Sequence, residues 1–187
     1  MRLAAIFFVG ASSLLMAQSS DVEKEMDRVA RAATVMIDGD VCQKIQTQRS
    51  LDFLLKTDPK DPYLASDNYD VDHESFLRTK KTLMRLARLC PLECDVNLWM
   101  PVLSSPGKIQ VMIRNVYELS SFWKWGDLHQ PTPPEMQTVL ETGKRVTVRA
   151  HRGMISVLSP VYNSLGEIVA LAEVASQEQR DLWENVK

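Results

Sequence analysis

The stretch 143–175 constrains the fold more than any other part of the sequence. Apolar residues alternate with other residues in two runs, first at Val146, Val148 and Ala150, then at Ile168, Ala170, Ala172 and Val174. A period of two is typical of strands that bury one face. Arg152-Gly153 and the Asn-Ser-Leu-Gly segment at 163–166 supply turn-forming residues between the runs. The stretch therefore predicts three short antiparallel strands joined by tight connections.

A long helix is predicted nearer the start of the chain, at residues 18–48. A serine can cap it, acidic residues follow in its first turn, and no proline interrupts it. Its apolar residues form a heptad-like stripe at Val22, Met26, Val29, Ala33 and Met36. Such a stripe packs either against its own domain or against a second copy of the chain, which would make a homodimer through residues 20–47.

The Asp-Gly-Asp segment at 38–40 interrupts this helical pattern. Glycine weakens a helix and aspartate favours turns and caps, so the segment predicts a kink or a new helix start. A second helix is predicted after Asp70 or Asp72, and it ends at Cys90 because Pro91 follows.

Shorter elements are expected along the rest of the chain. They are a short helix near 51–55, a strand hairpin at 96–103 and 109–117, an aromatic-rich segment at 118–132, a short helix at 135–141 and a polar, helical tail at 177–187. Periodicity alone therefore indicates an α+β domain.

Three segments resemble a known family. ISVLSPVYNSLGEIVALAEV resembles the closing hairpin of Cache-type, PAS-like bacterial extracytoplasmic sensor domains. ATVMIDGDVCQKI resembles the segment after the first helix in some bacterial sensor ectodomains, and ETGKRVTV resembles the family's segment before the third strand. The resemblance spans about residues 20–176 and implies a single sensor domain at 49–176. It also implies a five-stranded antiparallel sheet, with the long helix and the second helix on one face and a small-molecule pocket on the other.

Residues 1–17 have the pattern of a signal peptide. Arg2 is followed by an uncharged, largely apolar run, and Ala17 lies at a plausible cleavage edge. The chain is therefore predicted to be secreted, or periplasmic in a Gram-negative bacterium. Leu15 is larger than the residue usually found three positions before the cut, so an uncleaved membrane anchor is the alternative. No later stretch is predicted to cross a bilayer.

Composition excludes one class of partner. The chain of 187 residues has 22 basic and 24 acidic side chains, dispersed without a basic block. Nucleic-acid binding is therefore not expected. The 45% apolar content is enough for one real hydrophobic core.

The three cysteines predict one local disulfide. Cys90 and Cys94 are separated by Pro-Leu-Glu at a helix-to-strand turn, and this spacing can close a small loop. Cys42 is expected to be a buried free thiol, with a bridge involving Cys42 as the alternative.

No enzyme motif is present in the sequence, so we expect a non-enzymatic protein without a cofactor. A polar run at the entry to the second helix has the residue types of a metal site, but we interpret it as helix caps and solvated charge. Its members are Asp67, Asp70, Asp72, His73 and Glu74.

The resemblance implies a ligand site between the sheet and the segment 118–132. The candidate ligand-binding residues are Trp99, Tyr117, Trp123, Trp125, Arg149 and His151. Trp123 and Trp125 would form an apolar lid, Tyr117 a polar-tipped wall, and Arg149 or His151 a charged anchor for an organic acid or similar metabolite. Trp99 is included because it interrupts the apolar face of its strand from the opposite side. Alternatively, the tryptophans fill the core and Arg149 is a solvated strand residue.

The predicted function is that of an exported ligand-binding sensor domain without an output module of its own, which could act with a membrane receptor partner. An alternative is an envelope protein-interaction module that uses the same scaffold without a small ligand. A thiol-linked envelope enzyme is a third and weaker interpretation.

Overall fold

Four helices precede the first strand in the computed structural model, which describes residues 10–56, 72–123 and 130–177. They are α1 (Gly10–Met36), α2 (Gly39–Gln43), α3 (Gln48–Lys56) and α4 (His73–Ala87). The helix α1 begins well before the predicted start at residue 18. The predicted new helix start is confirmed, because the Asp38 carboxylate caps α2 by accepting from the backbone N–H of Val41 at 3.2 Å.

The predicted cap of the second long helix is also confirmed. Asp72 accepts from the backbone N–H of Ser75 at 2.9 Å. Hydrogen bonds from the side chain and the backbone of Ser75 hold the pKa of Asp72 below its usual value. The helix α4 ends at Ala87 rather than at Cys90, because residues 88–90 already turn into the following loop.

The strands form one antiparallel sheet. They are β1 (Cys94–Pro101), β2 (Lys108–Ile113), β3 (Gln130–Pro131), β4 (Val146–Arg149), β5 (Met154–Tyr162) and β6 (Ile168–Gln177), in the order β3-β2-β1-β6-β5-β4. The predicted meander is confirmed as β4, β5 and β6. The described residues form six strands where five are predicted, because the two-residue strand β3 pairs with the start of β2.

The fifth helix, α5 (Pro134–Thr142), lies between β3 and β4, close to its predicted position. Gly143 ends it in the left-handed region, with φ of 67°, which a residue with a side chain rarely adopts.

One face of the sheet, called here the helix face, packs against α1 and α4. Its buried core includes Met26, Val29, Phe76, Leu83, Leu86, Val96, Leu98, Ile155, Val157 and Val174. Each fully buried side chain of this size contributes about 2 kcal/mol. Val22, Met26, Val29 and Ala33 of the apolar stripe therefore pack on their own domain, whereas Met36 is 52% exposed. A homodimer through residues 20–47 would have to use Met36 or other residues of this region.

The Asp-Gly-Asp segment and the turn between β5 and β6 pack against each other. The space beside Gly39 is filled by backbone, since a Cβ there would lie 2.2 Å from the carbonyl oxygen of Tyr162. Asp40 accepts from both the backbone N–H and the hydroxyl of Ser164, each at 3.1 Å. Two segments that the sequence separates thus form one corner of the fold.

Within the residues that the structure describes, no helix has the length and apolar character needed to cross a membrane. Residues 1–9 of the predicted signal peptide and 178–187 of the predicted tail lie outside the described residues.

Candidate ligand-binding face

The face opposite α1 and α4, called here the loop-covered face, carries α5 and the segment 114–123. Side chains alternate between the two faces along a strand. Asp95, Asn97 and Trp99 of β1 therefore share this face with Glu173 of β6 and Ser156 of β5, and all five are buried.

Glu173 is the centre of a polar cluster beneath the segment 114–123. It is fully buried, with 0% of its surface exposed. We call Glu173 and the groups that donate hydrogen bonds to it the Glu173 cluster. The Glu173 carboxylate accepts hydrogen bonds from Trp99 Nε1 at 2.8 Å, Ser120 Oγ at 2.7 Å, Ser121 N at 2.8 Å, Ser156 Oγ at 2.6 Å and Asn97 Nδ2 at 3.4 Å.

The donors of the Glu173 cluster are neutral groups from two strands and the covering segment. A buried carboxylate requires such bonds, because its transfer from water without them is very unfavourable. Hydrogen bonds to a charged acceptor are worth about 1.5–3 kcal/mol each. The cluster therefore attaches the segment firmly to β1, β5 and β6.

Asp95 and Asn97 attach the same segment nearer its start. Asp95 accepts from the backbone N–H groups of Tyr117 at 3.2 Å and Leu119 at 2.9 Å. Asn97 donates to the carbonyl of Leu119 at 2.7 Å and accepts from the backbone N–H of Asn115 at 3.2 Å. Burial raises the pKa of Asp95, although the backbone N–H bonds oppose that rise.

The segment 114–123 ends in aromatic residues. Phe122 meets Trp99 edge to face, with 6.3 Å between ring centroids. The guanidinium of Arg114 lies 4.0 Å from the ring centroid of Trp123 and makes an ion pair with Glu118 at 3.3 Å. The side chain of Arg114 is only 12% exposed, so Trp123 and Arg114 form a fixed cation-aromatic pair.

Three predicted ligand residues lie on or beside this face. Trp99 is 1% exposed and belongs to the core of the face, with its indole N–H bound to Glu173. Trp123 is partly buried, whereas Tyr117 is 52% exposed. Trp125 lies outside the described residues.

The two predicted anchors do not meet these aromatic residues. Val146 and Val148 of β4 pack in the core of the loop-covered face, so alternation turns Arg149 to the helix face, where it pairs with Glu23 of α1. His151 is exposed in the short 3-10 turn that follows β4. A ligand that contacts Trp123 cannot reach Arg149 around the sheet.

The residues that sequence reasoning missed are Glu173 and Arg114. Glu173 is the single acid within the apolar alternation of β6, and this could have indicated a buried functional or structural carboxylate. No sequence pattern marks Arg114. A register shift between Leu98 and Trp99 changes the pairing of β1 with β2 close to Arg114, so simple alternation along β2 does not predict the face on which Arg114 lies.

A groove lies beside the loop-covered face, next to a disulfide between Cys90 and Cys94. The predicted bridge is therefore present, and the free thiol of Cys42 is buried as expected. Burial raises the pKa of Cys42 to about 12, which leaves the thiol unreactive. The groove has a volume of about 420 Å³, and we call it the disulfide groove; its lining includes Arg88, Leu92, Glu93, Asp95, Asn115, Val116 and Tyr117.

No group of three His, Cys, Asp or Glu side chains in residues 10–56, 72–123 and 130–177 could hold a metal ion. Of the polar run at the entry to the second helix, Asp72 is the helix cap, and Asp67 and Asp70 lie outside the described residues.

No family model matches this chain, and no curated protein matches it in sequence.

Proposed function

We propose that the chain is an extracytoplasmic, non-enzymatic sensor domain of the Cache type that binds a small organic acid on its loop-covered face. The arrangement that carries the proposal is the segment 114–123, which buried acids hold at residues 117–121 and which bears partly buried aromatic residues directly after them. Two helices on the opposite face agree with what the resemblance implies.

The ligand would lie at the aromatic end of the segment, against the partly buried Trp123. Arg114 would supply the charged anchor in place of Arg149, because its guanidinium is on the correct face and is oriented by Trp123. A guanidinium binds a carboxylate through two parallel hydrogen bonds, which favours an acid over a neutral ligand. Binding would compete with the partly exposed Glu118 for the same guanidinium.

A non-enzymatic role is supported by the way the polar groups of this face are used. Ser120, Ser121 and Ser156 all bond to Glu173 or to each other, and Glu173 is fully buried. A nucleophile must reach a substrate, and a hydroxyl locked under a covering segment does not. An exported location is supported by the Cys90–Cys94 disulfide, since such bonds persist in oxidising compartments.

A thermal-shift screen of the purified chain against organic acids tests the proposal. A ligand that binds the folded state at about a hundredfold above its Kd adds about 2.7 kcal/mol and raises Tm by about 5 °C or more. Arg114→Met should abolish that shift. Arg149→Met, the matched control on the opposite face, should leave the shift intact. The proposed site is wrong if Arg149→Met removes the shift and Arg114→Met does not.

An envelope protein-interaction module is the second candidate function. The observation that favours it is the disulfide groove, where exposed apolar side chains meet. A membrane receptor as partner and a homodimer both stay predictions, and sedimentation at several concentrations tests the dimer.

A further inference from the structure

We propose that Glu118 sets the specificity of the organic-acid site: it occupies the Arg114 guanidinium until a ligand replaces it, and it then favours acids with one carboxylate over acids with two or three. This inference rests on the proposed function, because it names the class of acid that the same site accepts. The observations behind it are the backbone conformation of Glu118, its ion pair with Arg114 and the exposure of both side chains.

The backbone of Glu118 adopts a conformation that its residue type does not favour. Among the described residues, Glu118 is the one residue other than glycine with a positive φ, at 55°. Glycine adopts this left-handed conformation readily, whereas a residue with a Cβ is strained in it. The flanking backbone N–H groups of Tyr117 and Leu119 both donate to the buried Asp95, and these bonds hold the segment in place. The fold therefore fixes the conformation at 118, but it does not explain why a glutamate occupies that position.

The ion pair with Arg114 is a weak source of folding stability. Arg114 Nη1 donates to Glu118 Oε1 at 3.3 Å, and the Glu118 side chain is 52% exposed. An ion pair with such an exposed partner adds little to stability, because water screens the charges and the ordering of long side chains costs entropy. It therefore does not offset the backbone strain, and the role of the Glu118 side chain lies in what it does to Arg114.

Glu118 controls access to the Arg114 guanidinium. The Arg114 side chain is only 12% exposed, and the ring centroid of Trp123 lies 4.0 Å from its guanidinium. A carboxylate from solution needs the N–H donors that already bind Glu118, so it binds by replacing the Glu118 carboxylate. This competition lowers the apparent affinity of the site for every acid, since only the fraction of molecules with Glu118 displaced can bind.

The displaced carboxylate then acts against any further negative charge on the ligand. Glu118 stays attached to the segment 114–123, and its charge already contributes to the raised pKa of Asp95. A second carboxylate on the ligand would be repelled by Glu118, and built-in repulsion of this kind is a common source of specificity. A ligand with one carboxylate and an apolar body avoids that repulsion and can contact the ring of Trp123.

Thermal-shift titrations with hexanoate and adipate test the proposal at about pH 7, where the carboxyl groups of both acids are ionised. The two acids have the same chain length and differ in the second carboxylate. The dependence of Tm on ligand concentration gives each Kd. We expect the unchanged chain to bind hexanoate about tenfold more tightly than adipate.

Glu118→Gln keeps the volume of the side chain and removes its charge. It should tighten hexanoate binding about threefold and adipate binding about tenfold or more, so the discrimination between the two acids shrinks. A purely structural role would give the opposite result, because a disturbed segment binds both acids more weakly. Glu25→Gln is the matched control: it removes an acid from another solvent-exposed ion pair, with Arg28 of α1, and should leave both affinities unchanged.

Glu118→Gly separates the backbone strain from the charge. It removes the same charge and also suits the φ of 55°, so without ligand its Tm should exceed that of Glu118→Gln. Both variants should bind adipate alike. A lower Tm for Glu118→Gly would show that the side chain stabilises the fold at this position and would contradict the proposal.

The inference and the proposed function fail on different results. If Glu118→Gln binds neither acid more tightly than the unchanged chain does, or if the unchanged chain prefers adipate, Glu118 does not set the specificity. Those results leave open whether Arg114→Met abolishes the shift that any organic acid produces. A shift that persists in Arg114→Met would instead reject the proposed site itself.

Discussion

The two faces of the sheet are stabilised in different ways. On the helix face, α1 and α4 are held by close apolar packing, with side chains such as Leu83 and Leu86 fully buried. On the loop-covered face, the segment 114–123 is held largely by hydrogen bonds to the buried acids Asp95 and Glu173. Apolar packing is tolerant of small shifts, whereas a buried carboxylate fixes the position of every donor around it. One face therefore supports the structure, and the other holds the covering segment in a defined position.

The largest expected effect lies at the corner where α2 meets the hairpin of β5 and β6. Gly39→Ala places a Cβ 2.2 Å from a backbone oxygen that cannot move away. We expect a loss of about 3–5 kcal/mol in the free energy of unfolding, measured by urea denaturation. Gly107→Ala is the control, since nothing lies within 4 Å of its Cβ; its positive φ of 80° should cost about 1 kcal/mol. Equal losses would show that close contact does not decide the outcome.

Leu86→Ala probes the apolar packing of the helix face. The side chain is fully buried against the sheet, so its removal should cost about 3 kcal/mol through lost burial and a residual cavity. Urea denaturation with an unchanged m-value would report a uniform loss of stability. Leu89→Ala, at a side chain that is 58% exposed on the same chain segment, should change little. A comparable loss in Leu89→Ala would contradict the burial argument.

Glu173→Gln tests the loop-covered face with almost no change in volume. An amide nitrogen would face either the Trp99 indole N–H or the backbone N–H of Ser121, so one buried donor loses its acceptor. We expect a loss of about 2 kcal/mol. Hydrogen exchange should accelerate in the segment 114–123 more than in α4. Equal acceleration in both would mean that the cluster supports the whole fold and does not act chiefly on the segment.

The smallest expected effect is a pH dependence of opposite sign on the two faces. Burial raises the pKa of Asp95, so its contribution to stability is full below its unfolded pKa and is lost as pH rises through the folded pKa. For Asp27 on α1, burial acts in the same direction, but bonds from Arg145 and Arg31 outweigh it and the pKa is lowered. Asp27 therefore contributes to folding stability at pH values above its unfolded-state pKa. This contribution is lost as pH falls through its folded-state pKa.

Urea denaturation between about pH 4 and about pH 7 measures both slopes. Asp27→Asn should cost most near neutral pH, and its deficit should shrink as pH falls. Asp95→Asn should reduce the gain in stability that acidification gives. For each variant, the quantity to compare is the difference in unfolding free energy from the unchanged chain. If this difference changed with pH in the same direction for both variants, the assignment of the two acids to different environments would be wrong.

Much of the fold could be predicted from residue periodicity and capping. The alternation at 146–174 gave the three-strand meander, Asp72 marked the start of α4, and the Asp-Gly-Asp segment marked the start of α2. These signals are local, because a strand's period and a helix cap depend on residues a few positions apart. The position of each element in the sheet is not local, and it came only from the structure.

The candidate site was predicted less well, for the same reason. Aromatic residues such as Trp123 could be recognised by type, but the face on which Arg149 lies depends on the register of β4 with β5. The attachment of Ser120 and Ser121 to Glu173 depends on contacts between segments that are distant in sequence. The sequence therefore identifies candidate residue types, but it does not show which of these residues lie together in the fold.

The central place of β6 has a consequence for how the chain acquires its structure. This strand is the last one described, yet it lies between β1 and β5, and 74 residues separate Trp99 from its partner Glu173. The edge of β1 that pairs with β6 has no partner strand until those residues have been synthesised. Pairing between strands so distant in sequence is slow. The central part of the sheet can therefore form only after residue 177 has been synthesised, so the covering segment 114–123 stays without its Glu173 partner until then.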